Sequence, residues 1–163
     1  MMIFPIDTQK KKGLIYMTEH YFHLKADWPG NRNDVGTIQT QNLQTKISIP
    51  EEMDGPGVGT NPDEMLLGAA TTCYIITLAA MLERSKIEKK SLVVESSAIV
   101  DVTNGIFTYK KIIHRPTLVI VNEKDIKMAN RLLLKAENTC MISKALRGNV
   151  AIELEPILLV GDQ

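Results

Sequence analysis

Thr60 to Arg84 reads TNPDEMLLGAATTCYIITLAAMLER, and this stretch decides the architecture. Asn61 suits a helix cap, Pro62 suits a first helical position, and Asp63 and Glu64 place negative charge in the first turn, where the helix dipole favours it. The eighteen residues from Met65 to Leu82 then carry no charge. A helix that is apolar on nearly every side belongs inside something. Cys73, one of 2 cysteines in the chain, sits in the middle of the run.

Eighteen uncharged residues also reach the length of a membrane span. This run holds three threonines, a glycine and four alanines, so it is only modestly hydrophobic, and amphipathic segments follow it. A core helix is therefore expected, with no membrane partner. The 163 residues suit one domain with a real core; 44% are hydrophobic and 23% charged, ordinary for a globular chain. Lys+Arg and Asp+Glu number 19 each, which gives no electrostatic case for a nucleic-acid partner or an acidic membrane surface. The opening MMIFPIDTQKKKG lacks the apolar core of a secretory leader, so a cytoplasmic location is expected. There, two cysteines are reactive or incidental rather than a structural disulfide.

Upstream of the helix the signals are β. Tyr21 to Trp28 reads as a strand, Pro29-Gly30-Asn31-Arg32-Asn33-Asp34 as a dense turn, Val35 to Thr40 as a second strand, and Leu43, Thr45, Ile47 and Ile49 alternate in a third. Residues 1–18, with Lys10-Lys11-Lys12-Gly13, read as an N-terminal extension or packed arm, and 19–163 as the domain. EEMDGPGVGT, 51–60, is glycine-rich but lacks the lysine and spacing of a phosphate loop; its glycines suit close passage past other backbone. Downstream, Leu92, Val94, Ala98, Val100 and Val102 share a strand face, and Asn104-Gly105 marks a hairpin. Ile106 to Val121 returns, with Pro116 expected at an edge or bulge. Asn122 can cap a second helix over about 123–138, followed by a helical turn over 140–146 and a last strand through Val150, Ile152 and Leu154.

Both cysteines fall on apolar helical faces. Cys140 starts a helical turn, whose free N–H groups favour a thiolate. Cys73 lies mid-helix, where burial alone would raise its pKa, so as a nucleophile it needs a cation from elsewhere, an arginine aimed by a carboxylate. A free cysteine in an apolar helix is also an ordinary small core residue, and the residues alone leave both readings open. Neither cysteine has a partner at zinc-ligand spacing. His20, His23 and His114 lie in strand-like or terminal segments and suggest no hydrolase triad.

Taken together, the pattern resembles the OsmC/Ohr family of thiol-dependent peroxidases, from about Tyr21 to Pro156. Gly59 to Cys73 is similar to the family's loop and central helix with its reactive cysteine, and Ala136 to Glu155 to its second-cysteine helix, turn and final strand. PGNRND resembles the turn that carries the active-site arginine, here Arg32. IPEEMDGPG resembles the loop that carries its carboxylate partner, here Glu52. The family often has proline after the second cysteine, where this chain has Met141, and the sequence mixes features of the two branches. The resemblance implies an α+β fold of two buried central helices packed on curved antiparallel sheets, in an intertwined homodimer. It implies that Cys73 attacks a hydroperoxide to give a sulfenic acid, that Cys140 condenses with it, and that an external thiol, a dithiol, reduces the disulfide without metal or organic cofactor. Arg32 would stabilise the thiolate and Glu52 would hold Arg32. The alternative is a module of the same fold that binds an apolar ligand or senses redox state without peroxidase turnover.

Overall fold

A computed structural model describes residues 18–161 of the chain; the extension read over 1–18 lies, apart from Thr18, outside the described residues. The long apolar run forms α1 (Pro62–Arg84) with the expected start: Asn61 Oδ1 accepts from the Glu64 N–H at 2.9 Å. Thr71 and Thr72 satisfy their hydroxyls within the helix, on the carbonyls of Leu67 (2.8 Å) and Gly68 (2.7 Å), which is how threonine is accommodated in a helix interior.

Two sheets flank α1. The smaller is the antiparallel trio β1 (Lys25–Asp27), β2 (Gly36–Gln39) and β3 (Gln44–Ile47). The first strand is shorter than Tyr21–Trp28, because only Lys25, Ala26 and Asp27 find partners on β2; Tyr21 and Phe22 are 74% and 93% exposed. The larger sheet is built on the hairpin of β4 (Lys89–Thr103) and β5 (Ile106–Ile120). Its turn is Asn104-Gly105, both at positive φ (52° and 75°), the backbone that a tight two-residue turn between twisted strands requires. At 15 residues each, these strands run about 50 Å.

From β5 the chain crosses over through a one-turn 3-10 segment, α2 (Ile126–Thr139) and α3 (Met141–Leu146), then returns as β6 (Ala151–Leu154) and β7 (Ile157–Val160). Asn122 precedes that turn, but its side chain makes no capping bond. Both last strands pair with β5 in parallel, so the main sheet is mixed rather than wholly antiparallel; a helical crossover returns the chain in the direction it left. Pro116, expected at an edge or bulge, is instead buried within the central strand β5. The missing N–H explains its tolerance. His114 O faces the β6 side, where it accepts from Glu155 N at 2.9 Å, and Pro116, two residues on, faces the same way. There β6 has ended at Leu154 and β7 has not begun, so no ladder bond is lost.

The core lies between α1, α2 and the main sheet: Tyr74, Leu78 and Leu82 of α1 meet Leu118 and Ile120 of β5 and Ala129, Leu132, Leu133 and Ala136 of α2. A second cluster joins Ala70, Ile112 and Val150. Neither includes a residue of β1–β3. Within this single chain α1 buries one stripe, Ala70, Tyr74, Leu78 and Leu82, while Ile76 is 67% exposed. Its length and composition alone would also allow it to cross a membrane.

Candidate active site

Tyr74 orients the site. Its ring stacks on His114 of β5 (5.2 Å between centroids, 8° between planes), and its hydroxyl donates to Leu133 O at 3.3 Å. That contact fixes the rotation of α1. Cys73, about 100° back around the helix, is thereby turned away from the core to face α3, half-buried.

Cys140 does two jobs at the corner between α2 and α3. Its N–H donates to the carbonyls of Ala136 (2.9 Å) and Glu137 (3.3 Å), closing α2. Its sulfur accepts from Ser143 N at 3.5 Å, opening α3 as an N-cap. The residue is fully buried, and its φ and ψ of −54° and 127° turn the chain through the corner. An ion pair between Arg147 and Glu137 (3.3 Å) bridges the same corner.

The two thiols, both free, meet side chain to side chain. Burial pushes Cys73 up, but it is outweighed by the nearby Cys140 thiol, then the N–H groups of Ile142 and Met141, then the Thr77 hydroxyl, and the net direction is down. Cys140 is pushed up, first by burial and then by Cys73. The two directions favour the proton on Cys140 over Cys73, and Cys73 as the more readily ionised thiol of the pair.

The turn after Cys140 favours a thiolate there through the Ser143 N–H, as the sequence suggests, but burial outweighs it and the net push on Cys140 is upward. The first N–H groups of α3, those of Met141 and Ile142, also lie close enough to Cys73 to lower its pKa, because α3 packs across α1. The cation thought necessary is also absent from this chain's site: Arg32 is not among the groups acting on the Cys73 thiol.

Arg32 stands in a well-tied turn. Asn31 N donates to Asp34 Oδ2 at 2.6 Å and Trp28 Nε1 to Asn31 O at 3.0 Å. The Arg32 guanidinium donates to the carbonyls of Met53 (2.8 Å) and Asp54 (3.2 Å) and to Asn33 Oδ1 (2.8 Å). The expected ion pair with Glu52 is not formed; the backbone of the Glu52 loop, not its carboxylate, takes the donors. Glu52 lines a hollow of about 310 Å³ with Met53, Asp63, Glu64 and Leu67. Asp63 and Glu64 were read only as dipole partners, and the structure brings them to the same hollow; Glu64 is engaged by the Thr60 hydroxyl at 2.8 Å. Gly59 makes this approach possible: at φ 79° it lets the loop run against Lys46 of β3, where a side chain would collide with backbone, and Thr60 N donates to Lys46 O at 3.0 Å. The structure therefore joins Cys73 to Cys140, and Arg32 to the loop of Glu52, as separate pairs. From Pro62 to Cys73 the axis of α1 advances about 16 Å.

With this geometry in view, the chain belongs to the family of OsmC-like proteins, whose model matches residues 55–155. It is 62% identical over 150 residues to YmaD of Bacillus subtilis, a protein described as uncharacterized, covering 90% of this chain and 100% of that one. It is 30% identical over 119 residues to organic hydroperoxide resistance protein-like 2 of Staphylococcus epidermidis, covering 71% and 78%. Its fold is similar to that of an organic hydroperoxide resistance protein OsmC from Legionella pneumophila, with a TM-score of 0.71 at 24% identity over 85% of this chain and 97% of that one.

Proposed function

We propose that this protein is a cysteine peroxidase that reduces organic hydroperoxides to alcohols. The observation that carries this is the meeting of Cys73 and Cys140, with the Cys73 thiol pushed down and the Cys140 thiol pushed up. The Cys73 thiolate attacks the distal oxygen of a hydroperoxide. The O–O bond breaks, the alkoxide leaves and takes a proton as alcohol, and Cys73 becomes a sulfenic acid. Cys140 then condenses with it, forming the Cys73–Cys140 disulfide and releasing water. A small dithiol restores both thiols by exchange. No metal or organic cofactor enters the cycle. Ile142 and the 71% exposed Met141 beside the thiol favour an apolar tail on the peroxide.

The working unit proposed is a homodimer in the cytoplasm. Three observations support a second copy: the uncovered faces of α1, the exposed Tyr21–Phe22 arm, and a small sheet outside its own chain's core clusters. In that assembly the Arg32 of one copy is proposed to reach the Cys73 of the other, with Glu52 holding it there.

Peroxide decay tests the activity, using an organic hydroperoxide or hydrogen peroxide with reduced lipoamide as the dithiol. Wild type is expected to turn over and to favour the organic peroxide, Cys73→Ser to be inactive, and Cys140→Ser to stop after one oxidation. A fully active Cys73→Ser would overturn the proposal. Absence of turnover with both peroxides, while both thiols still react with a labelling reagent, would instead favour a ligand-holding or redox-sensing module.

A further inference from the structure

Ser143 is wholly buried, and its Oγ has no hydrogen-bond partner among the described residues. The Cys140 N–H, which a long polar side chain at this third helical position could reach back to, is already given to Ala136 and Glu137. A helical serine can otherwise bond the carbonyl four residues back, and Ser143 does not. What lies beside it is sulfur. Ser143 N donates to Cys140 Sγ at 3.5 Å, and its hydroxyl borders the same sulfur, close enough to favour the thiolate but without the alignment of a formed bond. A neutral thiol is a weak acceptor. An unpaired buried hydroxyl destabilises the resting fold, and a thiolate at Cys140 would give it a strong acceptor.

We propose that Ser143 is the donor that stabilises Cys140 as a thiolate when it attacks the oxidised Cys73. This rests on the peroxidase reading and concerns its second step. The Cys140 S–H bond breaks and the sulfur attacks Cys73. The S–S bond forms as the S–O bond of the sulfenic acid breaks, and hydroxide leaves with the proton from Cys140 as water. Cys140 is oxidised and Cys73 reduced, with no further reagent. While Cys140 carries the charge, the Ser143 N–H and O–H both face it.

The test adds one equivalent of organic hydroperoxide to the fully reduced chain at a series of pH values. Sulfenic acid is followed with a dimedone trap and disulfide closure by loss of free thiol. Ser143→Ala is expected to form the sulfenic acid but to close the disulfide at least ten-fold more slowly at neutral pH, with the midpoint of the closure profile moved to higher pH. Ser143→Thr, which keeps the hydroxyl, should close faster than Ser143→Ala. Thermal unfolding of Ser143→Ala should occur no lower than in wild type, since the change removes an unpaired polar atom. Equal closure rates and equal midpoints in wild type and Ser143→Ala would overturn the inference while leaving the peroxidase reading standing. Absence of trapped sulfenic acid and of thiol loss in wild type would overturn both.

Discussion

Met141, the first residue of α3, lies beside the Cys73 thiol of α1, close enough for its N–H to lower that thiol's pKa. Two segments far apart in sequence, the middle of α1 and the first residue of α3, thus meet at one sulfur.

That relationship makes Met141→Pro an informative change. Proline suits the first position of a helix, and the residue before it must be extended, as Cys140 already is at φ −54° and ψ 127°. The chain should fold and lose only the donor. The Cys73 pKa should rise and its reaction with peroxide at neutral pH should slow severalfold, which alkylation rates against pH would measure. An unchanged titration midpoint would show that the Met141 N–H carries no part of the thiolate's stability.

The two thiols should titrate on opposite sides of the ordinary thiol range. In wild type the first alkylation belongs to Cys73, which is held down, and the second to Cys140, which burial holds up. Cys140→Ala removes the largest of the favourable contacts on Cys73, so its midpoint should move upward. Peptide mapping of alkylated sites across pH would check both statements.

His114 links stability to pH. It is fully buried, with Ser96 Oγ at 2.7 Å from Nδ1, Tyr74 stacked on its face, and Nε2 without a partner among the described residues. Burial lowers its pKa, so the folded chain favours the neutral ring. The contribution is then fully present above the unfolded value of about 6.5 and is lost as pH falls through the folded value. The Tm should fall below about pH 6.5, and His114→Phe should flatten that fall.

The two sides of α1 should answer mutation differently. Leu78 is wholly buried in the core, and Leu78→Ala should lower stability by about 2–5 kcal/mol in chemical denaturation. Ile76 is 67% exposed in the single chain, so Ile76→Glu should leave the fold of each chain intact. Sedimentation without detergent should show a dimer for wild type and a monomer with reduced peroxide turnover for Ile76→Glu. A wild-type chain that sediments as a monomer would contradict the proposed homodimer.

Much of the fold was legible because it is written locally. The Asn61-Pro62 start of α1, the Asn104-Gly105 hairpin and the alternation of the last strand each follow from the backbone preferences of a few neighbouring residues. What the sequence did not show depended on contacts between distant segments. The gap opposite Pro116 exists only because β6 and β7 meet end to end. The influence of Met141 and Ile142 on Cys73 arises because α3 crosses α1, which no spacing within either helix records. Arg32 and Glu52 could be placed in one neighbourhood from their motifs, but whether the guanidinium meets a carboxylate or the carbonyls of Met53 and Asp54 is decided by the loop's tertiary path.

The most direct measurement is a single-turnover stoichiometry. One equivalent of an organic hydroperoxide is added to fully reduced wild type and to Cys73→Ser, and alcohol, free thiols and disulfide-linked peptides are quantified. Wild type should release one alcohol for each Cys73–Cys140 disulfide formed, and Cys73→Ser should release none. Peroxide left unconsumed by wild type, or consumed equally well by Cys73→Ser, would contradict a peroxidase built on this pair.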